Sequence, residues 1–289
     1  WLKQVWLEHP DGLSNQSFSN RPVVEAFHLS DMRRSVIVGA ALASCAHGAT
    51  IVTGATGRTG SLMYKALQDA KVDVRALVHS ADKAKAVLGC EKCDESEGIY
   101  LGDVTNKNTI QGAFNGVDTV VIAVGAHGDE PDDVVDKIEW YGVKNQVETL
   151  LAGGKDGKRI VLFSSMSTSK PHNHVLEDKA KAEKYIIEQG VPYTIVKPCG
   201  LSEDAAGDRE LLIGHDDVAD ANDWFNIGFY MVPRADVVSV ASAALLSPPA
   251  DQMRFDICAK LVGSGPADVK AAVQEAGKPW AGPTQMVVV

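Results

Sequence analysis

Three glycines at a regular interval of three, Gly54, Gly57 and Gly60, are the residues best placed for chemistry, in the stretch TIVTGATGRTG from Thr50 to Gly60. Apolar and β-branched residues lead into them, so a short buried strand is expected to run straight into a flexible turn. The turn opens RTGSLMYKALQDA, whose Leu62, Met63 and Leu67 recur at helical spacing. A helix N-terminus carries unpaired N–H groups and partial positive charge, and it attracts anions. Glycine lets the backbone turn tightly and lets a pyrophosphate approach with no Cβ in the way. With Thr56, Arg58 and Thr59 between the glycines, the G-x-x-G-x-x-G spacing is a variant of the dinucleotide fingerprint. A plain tight turn would use the same residues. The dinucleotide reading is favoured by position, because the loop heads a series of strand–helix units.

The end of the second strand discriminates between dinucleotides. An NAD site usually carries a carboxylate there, for the ribose 2′-hydroxyl. Here the strand ends LVHSADK: His79 stands at the tip, and Asp82 comes later, as a residue of the helix start. Arg58, His79 and Lys83 suit a 2′-phosphate, so NADP(H) is expected ahead of NAD(H). Asp103, with Val104 in GDV after the third strand, is placed to accept a hydrogen bond from an adenine amine. Ala123, Val124 and Gly125, at the end of the fourth strand, are small enough to line the cofactor. Ser164 and Ser165 end the fifth strand, at the carboxyl edge where ligands bind in such sheets.

These residues need a frame, and the pattern supplies one. From Thr50 onward, apolar strand-like runs (TIVTG, VDVRALVH, GIYLGDV, VDTVVIAVG, RIVLFSS, PYTIVKP) alternate with helix-like runs. One of these helices, SADKAKAVLG, opens at Ser80 and closes at Gly89. Such alternation predicts a parallel sheet covered by helices on both faces, a Rossmann-like doubly wound α/β fold. The strands lack in/out alternation, as expected when both faces are buried. After Pro198 the order loosens into short acidic pieces, followed by a helix at RADVVSVASAALL, a strand at MRFDICA and a last helix. The reading is one domain, 49–285, with a small C-terminal substrate or lid region, preceded by an extension, 1–48.

Composition bounds the rest. The chain has 289 residues, 45% hydrophobic and 23% charged, with a net charge of −10. That balance argues against a general nucleic-acid binder, whose affinity comes from neutralising phosphates. Cys45, Cys90, Cys93, Cys199 and Cys258 are too sparse and odd in number for a disulfide framework. Cys90 and Cys93 form a single C-x-x-C, readable as a redox pair or as a loop between helix and strand. His172 and His174 lack a third ligand near by, so no metal site is expected. The chain begins at Trp1, which suggests a processed or incomplete product. Arg33 and Arg34 precede an apolar run from Val36 to Ala46, so Met32–Ala49 reads as a targeting segment or as a short packed element. Eleven helical residues cover ~17 Å against ~30 Å of hydrocarbon, so no integral membrane span is expected. The compartment, plastid or cytoplasm, stays open.

TGATGRTG, VRALVHSADKA, GDVTN, VVIAVGA, IEWYGVKNQV, VLFSSMST, KAKAEKYIIEQGVPYTIVKP and RELLIGHDD…VPRADVV occur in this order. Together they resemble the atypical short-chain dehydrogenase/reductases of the NAD(P)H-binding, NmrA-like group, especially plant and plastid members. The resemblance covers about residues 50–260. It implies the Rossmann-like fold and the nicotinamide cofactor. By its distance from PYT, Lys179 is similar to the active-site lysine of isoflavone-reductase-like members. On that resemblance Lys179 would bridge the nicotinamide ribose and polarise a carbonyl, while Ser165, by its place at the sheet's carboxyl edge, would meet substrate or nicotinamide. A solvent-facing helix lysine is the other reading, and Asn145 would either orient Lys179 through water or make a helix–helix contact. Tyr193-Thr-Ile-Val-Lys197 mimics the Tyr-x-x-x-Lys pair of mainstream members but falls in a strand, where i and i+4 stand ~13 Å apart. The family's usual arginine is replaced by His79, which implies a weaker and pH-dependent grip on the 2′-phosphate. Cys199-Gly200 stands where members often have two glycines. The group mixes reductases with regulators, so two functions remain open. One is a reductase of a small carbonyl, enone or quinone. The other is a non-catalytic NADP(H)-sensing regulator or scaffold with a protein partner.

Overall fold

The structure, a computed structural model, describes residues 48–126, 129–215, 217, 231–279 and 287–288. Of the targeting segment read at Met32–Ala49, residues 32–47 lie outside the described residues, as do 216 and 218–230 of the loosened region after Pro198. All described residues belong to the unit Ser44–Val289.

The first half alternates as its sequence predicts: β1 (Ala49–Thr53), α1 (Arg58–Asp69), β2 (Val74–Val78), α2 (Ala81–Leu88), β3 (Ile99–Leu101), a short α3 (Lys107–Ile110) and β4 (Val117–Ile122). Local chemistry sets the boundaries. Ser80 caps α2 by accepting the Lys83 N–H, and Gly89 closes it in the left-handed conformation at φ 74°. One long helical stretch follows: α4 (Asp132–Val135) passes through a π-helical turn, Asp136–Gly142, into α5 (Val143–Leu151). Then come β5 (Arg159–Phe163), α6 (His174–Glu188), β6 (Tyr193–Pro198), β7 (Leu201–Ser202), β8 (Leu211–Gly214), β9 (Val232–Pro233), α7 (Arg234–Leu246), β10 (Gln252–Ala259), α8 (Val269–Ala276) and β11 (Val287–Val288).

The main sheet runs β11-β8-β10-β6-β5-β4-β1-β2-β3. From β3 to β10 every pairing is parallel, while β8 runs antiparallel to β10 and β11 antiparallel to β8. β7 and β9 form a separate parallel pair. Chain order reverses between β1 and β4, which opens the crevice where this fold binds ligands. Strand residues alternate between two cores. Val52, Val121, Val161 and Val196 pack in one with α1, α7 and α8, and Ile51, Val120, Ile160 and Ile195 in the other with α5 and α6. Both faces are dry, hence the unbroken apolar runs. Among the described residues no helix is long and apolar enough to cross a membrane.

Two expectations need correction. Leu211–Gly214, expected to be irregular, is a wholly buried strand held by β10. A four-residue run is too short to declare its own period, and its partner lies more than 40 residues away. The cysteines are also more ordered than expected. Cys90 and Cys93 are disulfide-bonded within the loop between α2 and β3, and Cys199 and Cys258 are paired across β6 and β10 with Cα atoms 5.1 Å apart. A separation of 59 residues hid the second pair.

Candidate functional site

The glycine loop lies at the switch point, between β1 and α1. Gly54 has φ +66°, and a Cβ there would stand 2.6 Å from the Ala123 carbonyl oxygen of the neighbouring strand end. A Cβ at Gly60 would run into the Gly54 carbonyl. These two glycines are therefore required by the chain itself, for the tight turn and for helix-to-strand packing. Gly57 is different: a Cβ would meet only the Gly54 carbonyl oxygen, at 3.0 Å. Gly57 is the N-cap of α1 and no side chain caps that helix. Its first-turn N–H groups are thus left for an anion.

The expected 2′-phosphate residues are not grouped into one cationic pocket. Arg58 is 75% exposed and lies 3.4 Å from Glu203. Glu203 also accepts from Arg234 at 3.0 Å, and Arg234 donates to the Thr59 hydroxyl at 2.7 Å. Thr59 is thereby engaged by the protein, while Thr56 is half-buried. His79 is exposed and faces the Asp103 carboxylate at 3.8 Å. The other oxygen of Asp103 accepts the Thr105 N–H and hydroxyl, both at 2.8 Å, so it is committed to its own turn. Asn145 donates to the Val104 carbonyl at 2.9 Å. It braces the loop after β3.

The carboxyl ends of β4 and β5 carry the polar groups. After β4, Ala123, Val124 and Gly125 lead to Ala126, whose N–H donates to Glu139 Oε1 at 2.9 Å. Glu139 Oε2 accepts from Lys179 Nζ at 2.7 Å. Glu139 is 2% exposed, and the Lys179 side chain 16%. Glu139 reaches this point from the π-helical turn, a local insertion common at functional sites. Lys179 is no solvent-facing lysine: it is oriented toward the switch-point loop. Glu139 lies in the motif IEWYGVKNQV, but nothing in the sequence marked its role, since its partner is 40 residues away.

The two serines after β5 part company. The Ser164 hydroxyl donates to Glu183 at 2.5 Å, and Thr168 donates to the same oxygen at 2.7 Å. The other Glu183 oxygen accepts from Arg254 at 2.8 Å. Ser164 is thus locked into a buried network, whereas Ser165 is half-buried and its hydroxyl makes no hydrogen bond among the described residues. Lys197 is wholly buried, 2.7 Å from Asp217 and 3.4 Å from Asp256. Asp217 also accepts the N–H groups of Ser167 and Ser169. Burial pushes the Asp256 carboxyl up. At Asp217 burial acts in the same sense, but Lys197 and the backbone donors outweigh it and hold the carboxyl below its usual value. Tyr193 sits within β6 in the sheet core, and burial raises its phenol. The Tyr193–Lys197 spacing therefore serves packing and a buried ion cluster, as a strand location requires.

The family model for NAD(P)H-binding proteins matches residues 54–248. Sanguinarine reductase of Eschscholzia californica is 32% identical, over 80% of this chain and 96% of that protein. The chloroplastic protein TIC 62 of Pisum sativum is 30% identical, over 52% of this chain and 32% of its own length. Among solved structures, a Bacillus halodurans protein described as an NAD-dependent epimerase/dehydratase superposes with a TM-score of 0.63 at 20% identity, covering 79% of this chain and 99% of that one. That likeness speaks to the fold alone, whereas the family model runs across the glycine loop and the sheet edge together, and the 32% identity extends over most of both chains: the chain belongs to the NAD(P)H-binding family, in the NmrA-like class of atypical short-chain dehydrogenase/reductases.

Proposed function

We propose that this protein is an NADPH-dependent reductase of a small carbonyl, enone or quinone. The observation that carries the reading is the chain Lys179–Glu139–Ala126, which fixes an ammonium group beside the end of β4. The similarity to sanguinarine reductase supports it. Bound NADPH supplies a hydride. The protein supplies position and charge. Uncapped N–H groups at the start of α1 hold the pyrophosphate, and Ala123 to Gly125 flank the cofactor. Lys179 has two ammonium donors beyond the one given to Glu139, and they stabilise negative charge gathering on the substrate oxygen. Ser165 adds a second, neutral donor. Such preorganised donors act where water is excluded, and removing one typically costs ~10²–10³ in rate.

The preference for NADPH over NADH belongs to this proposal and rests on the absence of an acid at the tip of β2 itself. Arg58 and His79 each face one carboxylate, and an arriving 2′-phosphate would compete for both. The unit 49–285 is proposed as the catalytic domain. A plastid location is proposed on the likeness to TIC 62, named as chloroplastic.

The test is Lys179→Met with NADPH oxidation followed across carbonyls, enones and quinones. Turnover should fall ~10²–10³ while NADPH affinity stays within a few-fold, because the lost interaction forms mainly in the transition state. Tyr193→Phe should leave turnover intact. The second reading, an NADP(H)-sensing scaffold, is favoured by the loss of Ser164 to Glu183 and by the similarity to TIC 62. Tight NADPH binding with no oxidation on any of those substrates would select it.

A further inference from the structure

Next to the Lys179–Glu139 pair, on the same two segments, lies a cluster that the reductase reading does not use. His174 opens α6, and Asp178 follows four residues on, so both lie on one helix face. Asp136 begins the π-helical turn that packs against them. His174 Nε2 stands 3.0 Å from Asp136 Oδ1 and 3.8 Å from Asp178 Oδ2. Asp178 is fully buried. Its Oδ1 accepts from Lys181 at 2.6 Å, but its Oδ2, the oxygen turned toward His174, receives no N–H or hydroxyl, and the one proton it can share is held with Asp136. A buried carboxylate oxygen without a donor is costly, so this one needs either the proton shared with Asp136 or a cation. Here it points at an imidazole nitrogen and a second carboxylate, and all three donor atoms lie within 4.8 Å of one another.

We propose that Asp136, His174 and Asp178 bind a divalent first-row transition metal of the Zn²⁺ or Mn²⁺ type. Donors bonded at about 2.0–2.2 Å to such an ion stand roughly 3.0–3.6 Å from each other, so the 3.0 Å spacing fits, the 3.8 Å spacing closes by a few tenths of an ångström, and the two carboxylate oxygens, within 4.8 Å, close by up to about an ångström. One imidazole and two carboxylates suit this class of ion better than Ca²⁺, which takes only oxygen, or Cu⁺, which prefers sulfur. Charge agrees. Lys181 is the ammonium paired with Asp178, the Glu177 carboxylate lies 3.9 Å from His174 Nδ1, and a divalent ion would displace the Nε2 proton that Asp136 now accepts. The consequence is mechanical. The ion would tie the start of α6 to the π-helical turn, and these are the two segments that present Lys179 and Glu139. Its part is to clamp the cofactor-facing lysine, outside the reacting atoms.

Another trio among the described residues, Cys90, Cys93 and Glu97, is the competing site on the same chain. Its sulfurs are bonded to each other, and Glu97 already accepts the N–H groups of Glu91, Lys92 and Cys93.

The experiment is calorimetric titration of the full chain, stripped with a chelator, using Zn²⁺ and then Mn²⁺, an ion with little affinity for thiols. It is repeated for His174→Asn, Asp178→Asn and the double variant Cys90→Ser/Cys93→Ser. The expected result is one ion per chain, with affinity reduced tenfold or more by His174→Asn and unchanged by the cysteine variant. Zn²⁺ should raise the melting temperature of the wild type and leave that of His174→Asn where it was. His174 is partly exposed at a helix start, so its variant tests the site even where Asp178→Asn folds poorly. Absence of binding would mean that the two carboxylates share only a proton, and would overturn the proposal. Binding that survives His174→Asn, or disappears with the cysteines, would overturn it equally. None of these readouts needs turnover, so the site stands or falls apart from the reductase reading.

Discussion

Glu139→Gln is the sharpest probe of the candidate site. Glutamine is nearly isosteric, and its carbonyl oxygen can still accept the Ala126 N–H that Glu139 accepts at 2.9 Å. What disappears is the negative charge 2.7 Å from Lys179. Removing one partner of a fully buried ion pair costs about 3–5 kcal/mol. The Lys179 side chain is 16% exposed, so water takes up part of the orphaned charge. The loss should lie nearer the value of one charge-assisted hydrogen bond, about 1.5–3 kcal/mol. In a chain of this size each kcal/mol moves the melting temperature by ~2–4 °C, so a fall of about 3–12 °C is expected. The chemical step should suffer more than cofactor binding. A lysine released from its anchor wanders by about an ångström, and displacement on that scale costs ~10² in rate. The assays are thermal unfolding, NADPH titration and NADPH oxidation, with Glu139→Asp as a conservative companion that keeps the charge on a shorter arm. A melting temperature within a degree of wild type would refute the ion pair. A normal turnover with the predicted fall in melting temperature would leave the pair structural and remove Glu139 from the mechanism.

Four further outcomes are expected. Gly57→Val should abolish NADPH binding while circular dichroism and melting stay near wild type, whereas Gly54→Val should destabilise the fold, because only Gly54 has both a positive φ and a strand end against it. Calorimetry should show NADPH preferred over NADH by tenfold or more, about 1.4 kcal/mol, with Arg58→Ala and His79→Ala each narrowing the gap; a preference for NADH would reject the assignment. Asp217 is held below its ordinary carboxyl value by Lys197 and the backbone donors, so its stabilising pairing is fully present above the ordinary carboxylate range and is lost as pH falls through the lower folded-state value. Asp217→Asn should therefore lower stability at neutral pH and flatten the acid limb of the stability–pH curve below about pH 4, and an unchanged limb would count against the Lys197–Asp217 pair. Truncation of residues 1–48 should leave a soluble chain that binds NADPH, and an insoluble product would make that segment part of the domain.

What the sequence determined by itself is whatever short-range physics dictates. A strand, a turn and a helix within a dozen residues need only local periodicity and glycine, so the strand, turn and helix start from Thr50 to Gly60 were legible. Ser80 and Gly89 marked the ends of α2 for the same reason. Unbroken apolar strands announced that both sheet faces are covered. The strand placement of Tyr193 and Lys197 followed from the run PYTIVKP, and it removed a false catalytic pair. Other features depend on residues that meet only once the sheet has closed. Lys179 was named as a candidate, but whether it faced water or the switch point depended on Glu139, turned inward by a π-helical insertion that no periodicity signals. Ser164 and Ser165 are chemically identical in sequence, and only the arrival of Glu183 and Arg254 commits the first and leaves the second unengaged. The burial of Leu211–Gly214, the meeting of Cys199 with Cys258, and the approach of Asp136 to His174 and Asp178 are likewise tertiary facts. A side chain's charge and shape are written in the sequence. Which partner desolvates it, and from which direction, is set by packing between segments tens of residues apart.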